Sequence, residues 1–258
     1  LARVFDLDKN FILAELDRHE AELLSSRFTR EGEEIVTASM DGHVISWSAE
    51  GELLRERRLG VELAQVAVSR GGEFVAGVSA EGEALIAELA AQTSRRLEVE
   101  HVVRELMIVG EDELLLTLDE EGVFRCFSLK DGALVLERAM SEPVAVMGAD
   151  PAGALVAIGT RAGDVELWDL AQGAQLGALS HGEHLWGLNI STGAEHLLTW
   201  GGERARDGFG TARVWSVAAM EERAVVGGER AFLDASFDPR GGRFALADGT
   251  RTVGVYDL

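Results

Sequence analysis

The sequence predicts an all-β fold built from small sheets that repeat along the chain. Its apolar segments are short, are bounded by Gly-containing turns, and alternate or run continuously apolar as strands do. No helical segment is evident. One position near the end of every third strand recurs at separations of 42, 40, 40, 41, 47 and 41 residues. In chain order it holds Phe5, Trp47, Ala87, Phe127, Trp168, Trp215 and Tyr256, so all but one repeat carry an aromatic there.

Each repeat follows the plan of the first complete one, which covers residues 22–57. A strand at 22–28 is followed by a Gly turn, a strand at 34–39, a polar turn, a strand at 42–48 and an outer strand at 53–57. Before this repeat the chain offers strands at 2–7 and 11–16. The remaining predicted strands are 63–69, 74–79 and 84–89; 103–109, 114–118, 123–129 and 133–138; 144–149, 155–160 and 165–170; 184–190, 196–200 and 212–217; and 231–237, 244–247 and 252–258.

The turns have the residues that turn geometry requires. Gly supplies a positive φ at low cost, and it is present in the first turn of most repeats. Pro151 and Pro239 directly follow Asp, where a fixed φ starts a turn. Both prolines lie between the first two strands of a repeat, so they interrupt no strand pairing.

Composition limits the partners that the chain can have. The net charge of −21 repels phosphate backbones, so we expect no nucleic-acid partner. The charge serves either solubility or a partner with a basic surface. The single cysteine, Cys126, excludes an internal disulfide and fits a reducing compartment, and its strand position predicts a core thiol. With neither a membrane-span pattern nor a signal-peptide pattern, the sequence predicts a cytoplasmic protein without a membrane partner.

The repeats resemble WD repeats, which build β-propellers of four-stranded blades around a central channel. Residues 238–247, Asp-Pro-Arg-Gly-Gly-Arg-Phe-Ala-Leu-Ala, are close to that family's turn between first and second strands, and the resemblance covers essentially the whole chain. In the first complete repeat, His19, Ser39, Asp41 and Trp47 match the family's structural tetrad. The resemblance implies that these four side chains are hydrogen-bonded to one another.

The tetrad is incomplete in the other repeats. Trp168 has Thr160 but Ala162 in the Asp position, and Ala87 keeps Ser79 without an aromatic. Degenerate repeats weaken the assignment of individual residues but leave the period unchanged.

The resemblance implies one propeller domain over residues 1–258, taken to be a fragment of a longer chain. Seven third strands predict seven blades with an incomplete first blade. The alternative is six blades, with residues 11–16 as the outer strand of the last one, which leaves residues 2–7 unexplained.

The most distinctive candidate site is the long turn at residues 201–210 of the fifth complete repeat. It is six or seven residues longer than its counterparts and contains Arg204, Arg206 and Phe209. Arg and aromatic residues anchor protein interfaces, and in the resembling family this turn opens on the face that most often binds partners. The sequence therefore predicts either a partner-binding loop or a tolerated insertion.

Other motifs fail on inspection. His181, His184 and His196 lack the further ligands that a zinc site needs, and His181 is better placed in the tetrad-like position. Gly208-Phe209-Gly210 is followed by a strand where a dinucleotide fingerprint needs a helix, and Gly77–Glu81 lacks the last Gly of a nucleophile elbow. Paired acidic residues are typical of a solvated surface. We therefore predict no catalytic residue, metal or cofactor.

The leading functional hypothesis is a non-enzymatic interaction or ligand-sensing module that binds a protein or peptide. The resemblance implies a bacterial multidomain protein, in which the propeller accompanies flanking signalling or regulatory domains. Two alternatives remain: a propeller-fold hydrolase or lyase with a site at the central channel, and a purely structural arm of an assembly.

Overall fold

The described part of the chain is entirely β-structure, which confirms the predicted fold class. The computed structural model describes residues 1–29, 31–91, 93–110, 114–150, 152–202, 209–250 and 252–258. Within these ranges 25 strands form seven antiparallel sheets and no α-helix is present. Consequently no helix in the described ranges is long and apolar enough to cross a membrane.

We number the sheets in chain order. Each strand pairs with its neighbour in sequence, so every sheet is a meander. Sheet 1 is β1 (Ala2–Asp6) and β2 (Phe11–Leu16); sheet 2 is β3 (Leu23–Phe28), β4 (Glu34–Ser39), β5 (His43–Ser48) and β6 (Leu53–Arg58); sheet 3 is β7 (Leu63–Val68), β8 (Phe74–Ser79), β9 (Ala84–Glu88) and β10 (Thr93–Arg96); sheet 4 is β11 (Val103–Val109), β12 (Leu114–Asp119), β13 (Val123–Ser128) and β14 (Leu134–Ala139). Sheet 5 is β15 (Val144–Ala149), β16 (Leu155–Thr160), β17 (Asp164–Asp169) and β18 (Ala174–Ser180); sheet 6 is β19 (His184–Ile190), β20 (His196–Gly202), β21 (Gly210–Ser216) and β22 (Glu221–Gly228); sheet 7 is β23 (Phe232–Phe237), β24 (Arg243–Asp248) and β25 (Val253–Asp257).

The second and third strands of each complete sheet are its most buried strands. All but the first residue of β4 are buried, and so are Val44 to Trp47 of β5, whereas β6 is almost wholly exposed. This gradient explains why the outer strands were the hardest to predict from hydropathy. Three outer strands were not predicted: β10, which is fully exposed, β18 and β22.

The chain divides into two compact units, Leu1–Glu137 and Arg138–Leu258. In the first unit, sheet 1 packs on sheet 2 around Trp47, sheet 2 packs on sheet 3, and sheet 3 packs on sheet 4 around Phe127. In the second unit, sheet 5 packs on sheet 6 around Trp215, and sheet 6 packs on sheet 7 around Trp200. Within each unit, neighbouring sheets thus bury their apolar faces against one another.

Cys126 lies on β13 and its side chain is fully buried, which confirms the predicted core thiol. Burial raises the pKa of this thiol to about 11, so it stays protonated and unreactive near neutral pH.

Backbone contacts fix the approach of neighbouring sheets at two glycines. Gly42 (φ 76°) lies in the turn between β4 and β5, and Gly163 (φ 98°) lies in the corresponding turn of sheet 5. A Cβ atom on Gly42 would lie 2.2 Å from the Val61 carbonyl oxygen, and one on Gly163 would lie 2.2 Å from that of Glu183. Both positions therefore require glycine, for space as well as for φ.

Candidate functional site

A chain of hydrogen bonds in sheet 2 connects three of the four residues assigned to the tetrad. The Trp47 indole Nε1–H donates to the Thr37 hydroxyl over 2.9 Å, and this hydroxyl lies 2.8 Å from His19 Nε2. His19 Nδ1 lies 3.2 Å from Asp41 Oδ2. Because a carboxylate only accepts, His19 donates from Nδ1 and accepts the Thr37 proton at Nε2.

The residue that completes this chain is Thr37 and not Ser39, which corrects the assignment from the sequence. Ser39 is also buried, but among the described residues its hydroxyl accepts a single bond, of 3.3 Å, from the Asp41 backbone N–H. Thr37 and Ser39 lie on the same strand two residues apart, so both face the same side of the sheet. The sequence alone does not separate these two hydroxyls, whereas the contact with the Trp47 indole does.

The corrected position explains the incomplete repeats. In the fourth complete repeat this position is Ile158, and Trp168 Nε1–H instead donates to Glu166 at 3.1 Å. Thr160, which was paired with Trp168 by sequence, accepts from the Asp164 backbone N–H. In the third complete repeat Thr117 is present but Phe127 has no donor, and the buried Thr117 hydroxyl has no partner among the described residues.

A second and longer chain of hydrogen bonds runs through sheet 6. Trp215 Nε1–H donates to the Thr199 hydroxyl at 2.8 Å, and that hydroxyl lies 2.9 Å from His181 Nδ1. His181 Nε2 lies 3.0 Å from the Thr211 hydroxyl, which donates to Glu183 Oε2 at 2.8 Å.

The direction of each proton in this chain is fixed. Indole N–H can only donate and a carboxylate can only accept. The fully buried His181 is neutral because burial, aided by the charge of Arg213, lowers its pKa to about 4. Its Nδ1 therefore accepts from Thr199, and its Nε2–H donates to Thr211. Both ring nitrogens are in use, as expected of a structural histidine.

Glu183 lies at the wall of a cavity of about 470 Å³ in the second unit. Its walls are formed by the turns before β17 and β19, the C-terminal end of β20 and the N-terminal end of β21. The lining residues include Arg161, Glu183, His184, Gly202, Phe209 and Thr211. His184 Nδ1 is 2.8 Å from the Arg161 carbonyl oxygen. Since a carbonyl oxygen only accepts, His184 carries its proton on Nδ1, and a neutral ring presents an unprotonated Nε2.

Of the three residues predicted to bind a partner, Phe209 lies within the described part of the chain. Its side chain is 69% exposed, and it lines the cavity directly before β21. Arg204 and Arg206 lie outside the described residues. Trp186 of β19 is half-buried and packs against the apolar cluster between sheets 6 and 7.

The other two candidate histidines have different surroundings. His184 bonds the Arg161 carbonyl, and His196 packs its ring against Phe237. Across the described ranges, no cluster of three or more His, Cys, Asp or Glu side chains could hold a metal ion.

A second cavity, of about 360 Å³, lies in the first unit beside Asp41. Arg18 and His43 both bond Glu56, at 2.7 and 3.0 Å. The hydrogen bond from Arg18, and to a smaller extent the one from His43, holds the pKa of Glu56 below its ordinary value. Because these side chains satisfy one another, this cavity offers fewer free groups to a ligand than the cavity beside Phe209.

Comparison with known proteins does not assign a family. No protein-family model matches the chain, and no curated protein matches its sequence.

Proposed function

We propose that the chain is a seven-bladed WD-repeat β-propeller that serves as a non-enzymatic protein-interaction and ligand-sensing module. The blades would be the seven sheets, with sheet 1 as the incomplete first blade. The pairing of β2 with β1 supports this count over six blades, because residues 11–16 then belong to the first blade. The hydrogen-bonded Trp, Thr and His in sheets 2 and 6 support the WD-repeat assignment.

The observation that carries the interaction proposal is the placement of Phe209. An aromatic ring that is 69% exposed beside an open polar cavity is costly to leave in water and suits an interface anchor. The surrounding turns also place charged and hydrogen-bonding groups within reach, as in the rim of a protein interface. The partner is a protein or peptide with a basic surface, in keeping with the net charge of −21.

We place this module in a larger cytoplasmic signalling or regulatory protein of bacterial type. The support is the resemblance of the repeats and the reduced, buried Cys126, and the flanking domains would supply the output.

The test is selection of binding peptides from a displayed random library on the purified protein. Phe209→Ala should weaken the selected peptides at least about fivefold, as loss of an interface anchor does. Combined replacement of Arg204, Arg206 and Phe209 by Ala should abolish binding without lowering stability. Leu233→Ala is the matched control, since Leu233 is an exposed apolar residue of sheet 7 that does not line the cavity. Peptides whose binding survives the triple replacement, or a selection that yields none, would overturn the proposal.

A further inference from the structure

We infer that the cavity beside Phe209 binds a cationic side chain, Arg or Lys, with the Glu183 carboxylate as its counter-ion. This inference rests on the proposed partner-binding function and specifies the chemistry that the site recognises.

The first support is the way in which Glu183 is held. The hydrogen-bond chain from Trp215 ends on Glu183 Oε2, so a buried part of sheet 6 orients this carboxylate. Its second oxygen, Oε1, has no hydrogen-bond partner among the described residues. A carboxylate with one oxygen anchored and the other open is preorganised to accept from a cation.

The second support is the character of the other lining groups. His184 Nε2 is an acceptor whenever the ring is neutral, because Nδ1 is committed to the Arg161 carbonyl oxygen. The exposed Phe209 ring offers a face to a cation and an apolar surface to its methylene stem. Together with the field of a chain of net charge −21, these groups favour a positive occupant.

One lining residue opposes a cation. Arg161 is among the residues that line the cavity, and its positive charge would repel a positive ligand. The inference therefore predicts opposite effects for two neighbouring substitutions: loss of the Glu183 charge should weaken binding, whereas loss of the Arg161 charge should strengthen it. An anionic ligand would give both effects with reversed sign.

The experiment measures binding of three small probes by NMR titration: N-acetyl-arginine amide, N-acetyl-lysine amide and N-acetyl-citrulline amide. Citrulline has the shape of arginine without its charge. We expect the two cationic probes to shift the His184 and Thr211 resonances, and citrulline to bind at least about fivefold more weakly. Glu183→Gln should weaken the arginine probe by about fivefold, and Arg161→Gln should tighten it by about twofold.

A further variant tests the role of the hydrogen-bond chain as a positioning device. Thr211→Val removes the donor that orients Glu183 but keeps the carboxylate, so it should weaken the arginine probe, and Thr211→Ser should restore it. Unfolding of each variant is measured alongside, so that a folding defect is not counted as a binding effect.

Three results would overturn the inference: citrulline binding as tightly as arginine, no effect of Glu183→Gln, or weaker binding in Arg161→Gln. Failure here is distinguishable from failure of the proposed function. If Phe209→Ala abolishes binding of selected peptides while the charge variants and cationic probes show no effect, the interface stands and the cation site is wrong. If neither responds, both are wrong.

Discussion

The Thr37 hydroxyl accepts the Trp47 indole proton over 2.9 Å while it bonds the His19 ring, and it does so inside a region closed to water. Thr37→Val would leave the Trp47 Nε1–H donor and the His19 Nε2 acceptor without a hydrogen-bond partner in that region. Each buried polar group left unpaired costs about 1–3 kcal/mol, so two of them should lower the free energy of unfolding by about 2–6 kcal/mol. Urea denaturation measures it.

The matched controls lie on the same strand. Ser39→Ala removes one long hydrogen bond to the Asp41 backbone and should cost about 1 kcal/mol or less. Thr37→Ser should restore most of the stability. If Ser39→Ala proves the more damaging change, the assignment of Thr37 is wrong.

Thr117 gives the opposite prediction for the same substitution. Its hydroxyl is buried without a partner among the described residues, because Phe127 replaces the tryptophan. Thr117→Val removes an unpaired buried polar group and keeps the shape of the side chain. We expect the protein to gain about 1 kcal/mol of unfolding free energy. Comparable losses in Thr117→Val and Thr37→Val would show that the hydroxyls have the same role and would contradict this account.

Acid should destabilise the protein through His181. Burial lowers its folded-state pKa to about 4 from an ordinary value of 6.5, so between these pH values the unfolded chain binds more protons than the folded one. The stabilisation is complete above pH 6.5 and falls as pH decreases towards 4, by about 3 kcal/mol in all. His19 acts in the same direction, because burial also lowers its pKa despite the nearby Asp41.

The measurement is the free energy of unfolding from pH 7.5 to 4.5 for the unchanged protein and for His181→Gln, which cannot titrate. The variant should be less stable at pH 7.5 but lose less stability on acidification. Parallel curves would exclude His181 as the source of the pH dependence, and an NMR titration of its ring gives the midpoint directly.

Gly42→Ala should be much more costly than Gly32→Ala, although both glycines have nearly the same φ, 76° and 74°. Nothing lies within 4 Å of a Cβ on Gly32, so alanine there meets only the backbone cost of about 1–2 kcal/mol. At Gly42 the added atom also collides with the Val61 carbonyl oxygen at 2.2 Å. We expect a loss of more than about 3 kcal/mol in the free energy of unfolding, since a clash with a main-chain atom cannot be relieved by a side-chain movement. Equal losses by urea denaturation would show that conformation alone matters.

The inner strands were predicted well from the sequence because buried strands consist mainly of apolar residues. The segments 34–39 and 155–160 coincide with β4 and β16, and both are almost entirely buried. The sequence could not predict β10, because four exposed polar residues form a strand only when β9 provides the pairing edge. The outer strand is therefore a product of the sheet and not of local propensity.

The candidate site was only partly predictable for a related reason. Phe209 was singled out by the length of its turn, but Glu183, Thr211 and His184 carry no motif and come together through strand pairing. The choice between Thr37 and Ser39 illustrates the same limit. Alternation places both on one face, and only the three-dimensional position of the indole decides between them.

At Gly42 and Gly163, the distance between neighbouring sheets is limited by main-chain contact and not by the volume of core side chains. In a typical core the distance between layers depends on the volumes of the side chains that fill it, so each substitution alters the geometry slightly. Here main-chain atoms touch main-chain atoms, and the spacing of sheet 2 from sheet 3, and of sheet 5 from sheet 6, has a lower bound that no side chain sets. The aromatic position holds Ala87 in the first of these interfaces and Trp215 in the second, and the same main-chain contact is kept in both.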